Sequence, residues 1–305
     1  MMNILHITHK MNLMLNKSIK NYPYMTKDKV LSLILYYFTR GLLNFRDSIR
    51  LKLLCNILGL NSPPEDTIEK LISPLYIDEE ENEKCLRSKI TRLFIKIPFI
   101  REEEWDIAFT PQFNEMLEII HIGLAIKIPI LFEGCIGQGK HLCINYVADL
   151  LDYEIINIMI SQTTNVEDLI GKKIITKDKN KNLKVISYET KLFKTLKNKY
   201  ENDKEGKNLI FIFNNLNNAS PEVMDFLVSF FDRNQDSIIL SEGLIFPKKN
   251  INIIGIINPE KGLSKDELPS SLINSSLYHI VSDPDENSIK QIIEKKLEKE
   301  IFKLG

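Results

Sequence analysis

One glycine-rich segment constrains the fold more than any other part of this 305-residue chain: it reads Gly134-Cys135-Ile136-Gly137-Gln138-Gly139-Lys140-His141. It keeps both glycines and the lysine of the pattern G-x-x-x-x-G-K-[S/T], but a histidine stands where the pattern has a hydroxyl. In this pattern, backbone N–H groups surround a phosphate and the lysine reaches the β- and γ-phosphates. The sequence therefore predicts a phosphate-binding loop whose last position is altered.

The segments on either side of the loop fit this prediction. The apolar run 128–132 is typical of a buried strand, and the residues after the loop predict a helix with Leu142, Val147, Leu150 and Leu151 on one side. The motif requires this order of strand, glycine loop and helix, because the helix start favours an anion. The alternative is a chance glycine turn between a strand and a helix.

Strands and helices are predicted to alternate along the rest of the chain. Further strands are expected at 154–160, 209–213 and 251–257, and helices after Thr110-Pro111, over 191–200, after Ser220-Pro221 and over the last twenty residues. The sequence also predicts a capping box at Thr164 and Glu167, charged loops at 176–184 and 201–208, and a hairpin over 237–247. This alternation indicates an α/β fold with a parallel sheet flanked by helices.

The overall composition excludes several classes of protein. The 40 basic and 41 acidic residues nearly balance, so the whole chain has no strong net electrostatic field. Its overall charge therefore gives no direct signal for nucleic-acid binding. No uncharged stretch is long enough for a bilayer, and the N-terminus lacks the features of a secretory signal. Four cysteines without a C-x-x-C pair favour an intracellular compartment, cytoplasm or nucleus, and the scattered histidines give no zinc ligand set.

The order of five short segments resembles the AAA+ ATPases, in particular their dynein-related, midasin-like branch. They are the entry into the loop at 130–134, T-N-V-E-D-L-I-G at 164–171, N-N-L-N-N-A-S at 214–220, I-N-P at 257–259 and L-P-S-S-L at 268–272. The resemblance covers residues 105–285. It implies a P-loop NTPase sheet, ATP as the ligand and other AAA+ modules, in cis or in trans, as partners.

The chain departs from this family at the positions that carry hydrolysis. The resemblance places the metal-linked aspartate on Asn214, the catalytic glutamate on Asn215 and the Mg²⁺-binding hydroxyl on His141, while the sensor Asn258 is kept. The arginine finger is expected near 273–276, where the sequence reads Ile-Asn-Ser-Ser. An amide cannot act as a general base, and imidazole is a poor Mg²⁺ ligand. No catalytic set is intact, and Mg²⁺ binding is expected to be weak or absent.

The resemblance also suggests how the chain is divided. We expect an N-terminal segment at 1–27, a helical region at 28–104 that resembles the lid of a preceding module, the P-loop core at 105–285, and the start of a C-terminal lid helix at 286–305. Within 28–104, two helices are expected over 28–60, and 85–100 is predicted to be a helix that runs into a strand. An unrelated helical N-terminal domain is the alternative.

Three functions remain open from the sequence. The chain is an ATP-binding module with weak or no hydrolysis in a larger remodelling assembly, an active ATPase motor, or an interaction scaffold that binds no nucleotide. The retained Gly134, Gly139 and Lys140 favour nucleotide binding over a pure scaffold. A small-molecule kinase is disfavoured because no arginine-bearing lid follows the core, and a GTPase because no N-K-x-D segment is present.

Overall fold

The computed structural model describes nine stretches of the chain: 75–80, 83–88, 93–97, 105–177, 183–202, 207–232, 235–240, 244–259 and 268–304. The helices predicted within 28–72 and the segment 1–27 lie outside these residues. The division into four regions therefore stays a prediction.

The first described elements form a small antiparallel sheet of three strands, β1 (Tyr76–Glu80), β2 (Glu83–Arg87) and β3 (Phe94–Lys96). The prediction of a helix in the first part of 85–100 is wrong. Arg87, one of its basic residues, is 1% exposed. Its guanidinium binds Asp78 (2.9 Å) and lies over the Phe94 ring (5.2 Å). Buried in this way, Arg87 joins neighbouring strands.

A long buried helix, α1 (Pro111–Ile126), follows, as the sequence predicted. Thr110 caps it, because its Oγ accepts a hydrogen bond from the Phe113 N–H (3.3 Å). A Cβ added at Gly123 would lie 2.5 Å from the Ile130 side chain. Glycine at this position therefore allows α1 to pack closely against the central sheet.

The remaining elements are mostly alternating strands and helices, as the sequence predicted, with some strands that follow one another directly. In chain order they are β4 (Ile130–Glu133), α2 (Lys140–Leu150), β5 (Glu154–Met159), α3 (Val166–Ile170), β6 (Gly171–Lys177), β7 (Leu183–Glu189), α4 (Lys191–Asn202), β8 (Leu209–Asn214), a 3₁₀ turn (Leu216–Asn218), α5 (Pro221–Phe231), β9 (Ser237–Ile239), β10 (Ile245–Pro247), β11 (Ile251–Ile257), α6 (Ser270–Ser275), β12 (Leu277–Ile280) and α7 (Glu286–Leu304).

Five of these strands form a parallel sheet in the order β12-β4-β11-β8-β5. The predicted membership of β4, β5, β8 and β11 is confirmed, and so is the α/β fold class. All residues of β8 and β11 are buried, which explains their continuous apolar runs. Because the strands are parallel, the loops after β4, β8 and β11 lie at the same edge of the sheet.

Several local predictions need correction. Leu142 is 41% exposed, and the buried face of α2 consists of Lys140, Cys143, Ile144, Val147 and Ala148, because the helix starts at Lys140 with that side chain inward. The capping box is one residue later than predicted, with Asn165 and Asp168 as the reciprocal pair. The predicted loop 176–184 overlaps two paired strands, β6 and β7, whose turn lies outside the described residues.

The last helix exists as predicted, but its apolar stripe does not face the core. Ile289 is 45% and Ile293 is 51% exposed, while Ile292 is partly buried. The predicted hairpin over 237–247 is confirmed by the pairing of β9 with β10, and its proposed turn at Glu242-Gly243 lies outside the described residues.

Candidate functional site

The glycine-rich loop 134–141 connects the end of β4 to the start of α2, as the sequence predicted. Gly137 and Gly139 adopt positive φ angles of 92° and 81°, a region that side chains disfavour. Gly134 donates its N–H to the Ile257 carbonyl at the end of β11 (3.1 Å). The glycines therefore allow the loop to turn back over the carboxyl edge of the sheet and present its backbone there.

Lys140, the first residue of α2, points into the loop rather than into solvent. Its Nζ donates to the carbonyls of Gly134 and Cys135, both at 2.6 Å, and the residue is 5% exposed. Burial lowers the pKa of the Lys140 ammonium below its ordinary value. These two carbonyls hold a cation at the place where the motif positions it for phosphate.

The middle of the loop is held by Gln138. Its Nε2 donates to Asp283 Oδ1 (2.7 Å) and to the Val281 carbonyl (3.3 Å), which follow β12. A Cβ at Gly134 would collide with the Gln138 amide oxygen. Glycine at position 134 therefore leaves room for the Gln138 amide in the position where it ties the loop to the residues after β12. Two other loop residues, Cys135 and Ile136, are exposed.

The two positions that the resemblance linked to Mg²⁺ lie together. His141 is in the first turn of α2 and Asn214 ends β8, and their side chains are close enough to interact. Burial lowers the pKa of the His141 imidazole, and the nearby Asn214 side chain opposes this shift. Asn214 Nδ2 also donates to the Ile158 carbonyl (3.4 Å). An imidazole and an amide therefore stand where a hydroxyl and a carboxylate would ligate the ion.

Asn215 and the sensor position Asn258 form a second polar pair at the same edge. Asn258 Nδ2 donates to Asn215 Oδ1 (2.6 Å), and the Asn258 N–H donates to Asn217 Oδ1 (3.2 Å). Asn215 has a left-handed backbone, with φ 57° and ψ 46°, and asparagine tolerates this region better than most residues. The pair fixes the loop after β8, but neither amide can accept a proton from water at neutral pH.

The position of the expected arginine finger lies at the end of α6. Ile273 is 9% and Ser276 1% exposed, and Ser276 Oγ donates to the Leu272 carbonyl (2.8 Å). These residues anchor α6 to the core and offer no cation.

A cavity of about 220 Å³ opens beside the loop. Three parts of the chain that are distant in sequence border it: the segment before α1, the loop, and α7 with its connection to β12. The residues are Asp106, Ile107, Ala108, Thr110, Gln112, Phe113, Met116, Gly137, Gln138, Gly139, Leu142, Ser282, Pro284, Ile292, Lys295 and Lys296. Sequence reasoning did not assign the segment 106–108 or the two lysines to the site, since no local pattern marks them.

The side chains fit a nucleotide better than they fit Mg²⁺. The buried Lys140 and the positive-φ glycines match the needs of a bound phosphate. Mg²⁺ prefers oxygen ligands, especially carboxylates, whereas His141 and Asn214 supply a nitrogen and a neutral amide. Among the described residues, no group of three or more His, Cys, Asp or Glu could hold a metal ion.

Residues 129–274 match the family model described as AAA domain (dynein-related subfamily). The matched segment starts just before β4 and ends in α6, so it contains the loop and the asparagines at positions 214, 215 and 258. This part of the chain is similar to the AAA domains that the sequence resemblance suggested.

Two further proteins are similar to parts of the chain. Midasin from Giardia intestinalis is 27% identical over 157 residues, which are 50% of this chain but only 3% of that protein. A crystal structure of a candidate ATPase from Cytophaga hutchinsonii covers 60% of this chain and 48% of its own, with 16% identity and a TM-score of 0.40. The α/β fold follows from the five-stranded parallel sheet itself. No helix among the described residues is long and apolar enough to cross a membrane.

Proposed function

We propose that the chain contains an ATP-binding AAA+ module of the dynein-related branch, with weak or no hydrolysis, that acts within a larger remodelling assembly. The observation that carries this proposal is the buried Lys140, held on two loop carbonyls beside a cavity of about 220 Å³. The match of residues 129–274 to an AAA domain supports ATP as the ligand.

The polar groups at the sheet edge support weak hydrolysis. Removal of a general base typically lowers a rate by about 10²–10⁴, and Asn215 supplies none. Loss of an arginine finger lowers it by about 10³–10⁵, and residues 273–276 contain no arginine. The replacement of the metal-binding groups by His141 and Asn214 acts in the same direction. Such a module binds ATP as a structural ligand.

A module of this kind is expected to work beside others. In the AAA+ proteins that the chain resembles, the finger acts across a subunit boundary, so other AAA+ modules are the proposed partners. The similarity to a small part of a midasin is compatible with one module of a larger array.

The proposal is tested by ATP binding and single-turnover hydrolysis with the full chain. Binding is measured with Mg²⁺ and with EDTA, and hydrolysis is compared between the wild type and the triple variant His141→Thr/Asn214→Asp/Asn215→Glu. We expect the wild type to bind ATP similarly in both buffers with negligible hydrolysis. The triple variant should acquire Mg²⁺-dependent binding and a faster chemical step.

Two results would contradict the proposal in different ways. Ordinary AAA+ turnover by the wild type that Lys140→Ala abolishes would favour an active motor. Absence of ATP binding in both buffers, with the chain folded by circular dichroism, would favour an interaction scaffold.

A further inference from the structure

One continuous part of the chain carries a strong positive charge that the overall balance hides. Residues 171–200 contain ten lysines and two acidic residues, Asp178 and Glu189, and so carry a net charge of +8. Since the whole chain has 40 basic and 41 acidic residues, the remainder carries −9. Such segregation of charge within one chain is typical of a surface that binds a polyanion.

Within this segment, the structure describes a two-stranded ribbon, β6 with β7, and the helix α4 that follows β7. In the antiparallel pair, Lys172 lies opposite Tyr188 and Lys184 lies opposite Thr176. Because positions alternate between the two faces of a strand, 172 and 184 share one face of the ribbon, and the lysine positions 173 and 177 share the other. Each face of the ribbon therefore carries two lysine positions.

The end of the ribbon near Lys172 and Tyr188 is accessible to solvent, and Glu189 beside it is already in an ion pair. Lys172 is exposed and Tyr188 is 55% exposed. Glu189 binds Lys197 (3.2 Å), so it does not offset the exposed lysines around it. Tyr188 adds an exposed ring beside Lys172, a combination that suits contact with both the phosphates and the apolar base edges of a duplex groove.

The start of α4 adds two more exposed lysines, at a position where the helix dipole disfavours positive charge. Thr190 caps the helix by accepting the Phe193 N–H (3.2 Å). The first turn of a helix favours acidic side chains because of the helix dipole. Here it carries Lys191 and Lys194, both exposed, and no acid. A phosphate bound beside this turn would offset the repulsion between these cations and the positive end of the helix.

We propose that β6, β7 and α4 bind duplex DNA, with the ribbon in the major groove and the start of α4 against the phosphate backbone. The major groove is about 12 Å wide and admits a two-stranded ribbon. Lysine positions on both faces suit a groove with phosphates on both walls, whereas a flat acidic protein surface would meet one face only. The deep, narrow major groove of A-form RNA excludes side chains. This inference goes beyond the ATP site and does not depend on it.

The test is fluorescence anisotropy of a labelled 20-base-pair duplex, titrated with the full chain without nucleotide at several salt concentrations. The variant is Lys172→Gln/Lys191→Gln/Lys194→Gln. The matched control, Lys84→Gln/Lys249→Gln/Lys290→Gln, makes the same charge change at exposed lysines outside the ribbon and α4. We expect the first variant to bind the duplex at least about tenfold more weakly than the wild type. The slope of log affinity against log salt concentration should also become shallower by about 2–3, since each lost phosphate contact reduces it by about one. The control should bind within about threefold of the wild type.

Three outcomes would overturn the proposal. The wild type could fail to bind the duplex at about 50 mM salt, a concentration at which contacts with phosphates are strong. Both triple variants could lose affinity equally, which would indicate an effect of net charge alone. Poly-glutamate, single-stranded DNA or duplex RNA could bind more tightly than duplex DNA, which would assign the surface to a different partner.

Discussion

At the residue scale, Lys140 is the side chain whose contacts must change when a phosphate binds. Its ammonium is now held by the Gly134 and Cys135 carbonyls. We expect Lys140→Met, which keeps most of the side-chain volume, to lower ATP affinity about 10–100-fold, because a hydrogen bond to a charged group contributes about 1.5–3 kcal/mol. Isothermal titration calorimetry measures this change, with Lys249→Met as a control at an exposed lysine. Equal affinities for the wild type and Lys140→Met would place the nucleotide elsewhere.

His141 gives the same site a pH dependence. Burial lowers the pKa of its imidazole, so the ring is neutral at pH 7. A bound polyphosphate stabilises the imidazolium and raises this pKa in the complex. ATP affinity should therefore rise as pH falls through the range below 6.5, the ordinary histidine value.

This second prediction is checked by titrations in EDTA between pH 7.5 and 5.5 on the wild type and His141→Asn. The asparagine variant should show a flatter profile, because it lacks the titrating group. Identical profiles for the two proteins would show that His141 does not face the phosphates.

Some functional residues are readable from the sequence and others are not. Gly137, Gly139 and Lys140 are set by local backbone geometry, so their spacing reveals them. The contact between His141 and Asn214 depends on strand order, because β11 lies between β4 and β8 in the sheet. Asp106 and Lys295 line the cavity only because separate elements converge there. No single-segment pattern records such a convergence.

At the element scale, α1 is joined to the N-terminal sheet through buried polar groups. Ser88 Oγ donates to Glu118 Oε2 (2.7 Å), and His121 Nε2 lies 3.0 Å from the Leu86 carbonyl. Burial raises the pKa of Glu118 to about 8 and lowers that of His121 to about 4, the latter shift aided by the charge of Arg87. Both groups are thus neutral in the folded protein near pH 7.

The third prediction concerns how stability depends on pH at this contact. For Glu118, the folded state holds a proton that the unfolded state releases between pH 4.5 and about 8, so the stability contribution falls as pH rises through that window. For His121, stability rises with pH between about 4 and 6.5, which opposes Glu118 below pH 6.5. The free energy of unfolding should therefore show a net fall between pH 6.5 and 8, with a slope of at most about 1.4 kcal/mol per pH unit.

Glu118→Gln removes the titrating carboxyl and should flatten this part of the profile. Urea denaturation of both proteins at pH 6.5, 7.2 and 8.0 measures the difference in slope. Parallel profiles would show that Glu118 ionises in the folded state without cost.

The elements that the sequence predicts best are those whose residues all lie in the same environment. β8 and β11 are buried along their whole length, and their apolar runs identify them. By contrast, β6 and β7 mix lysines with β-branched residues on both faces, and their pattern resembled a polar loop. The strand expected in the second part of 85–100 agrees with β3, whereas β2 lies where a helix was expected. Arg87 of β2 is buried in the sheet, a placement that a polarity pattern assigns to the surface.

At the scale of the whole molecule, the proposed ATP cavity is bordered by parts of the chain that are distant in sequence. The segment before α1, the loop and α7 all border it. A ligand that binds only the folded state stabilises all the elements that form its site. ATP should therefore raise the thermal midpoint of the full chain, and not only order the loop.

The dependence of this thermal shift on Mg²⁺ separates a structural nucleotide from a catalytic one. ATP at 100 times its Kd adds about 2.7 kcal/mol to the free energy of unfolding, which corresponds to a rise of about 5–10 °C for a domain of this size. Because His141 and Asn214 are poor partners for Mg²⁺, we expect the same rise in EDTA as in Mg²⁺. For Lys140→Met at the same ATP concentration, the weaker affinity should reduce the added free energy of unfolding to about 0.4–1.4 kcal/mol. Differential scanning calorimetry measures both. A rise that requires Mg²⁺ would mean that the loop and the sheet edge bind the ion with the nucleotide, in which case Asn214 and His141 do not weaken the metal site and an active ATPase becomes the better explanation.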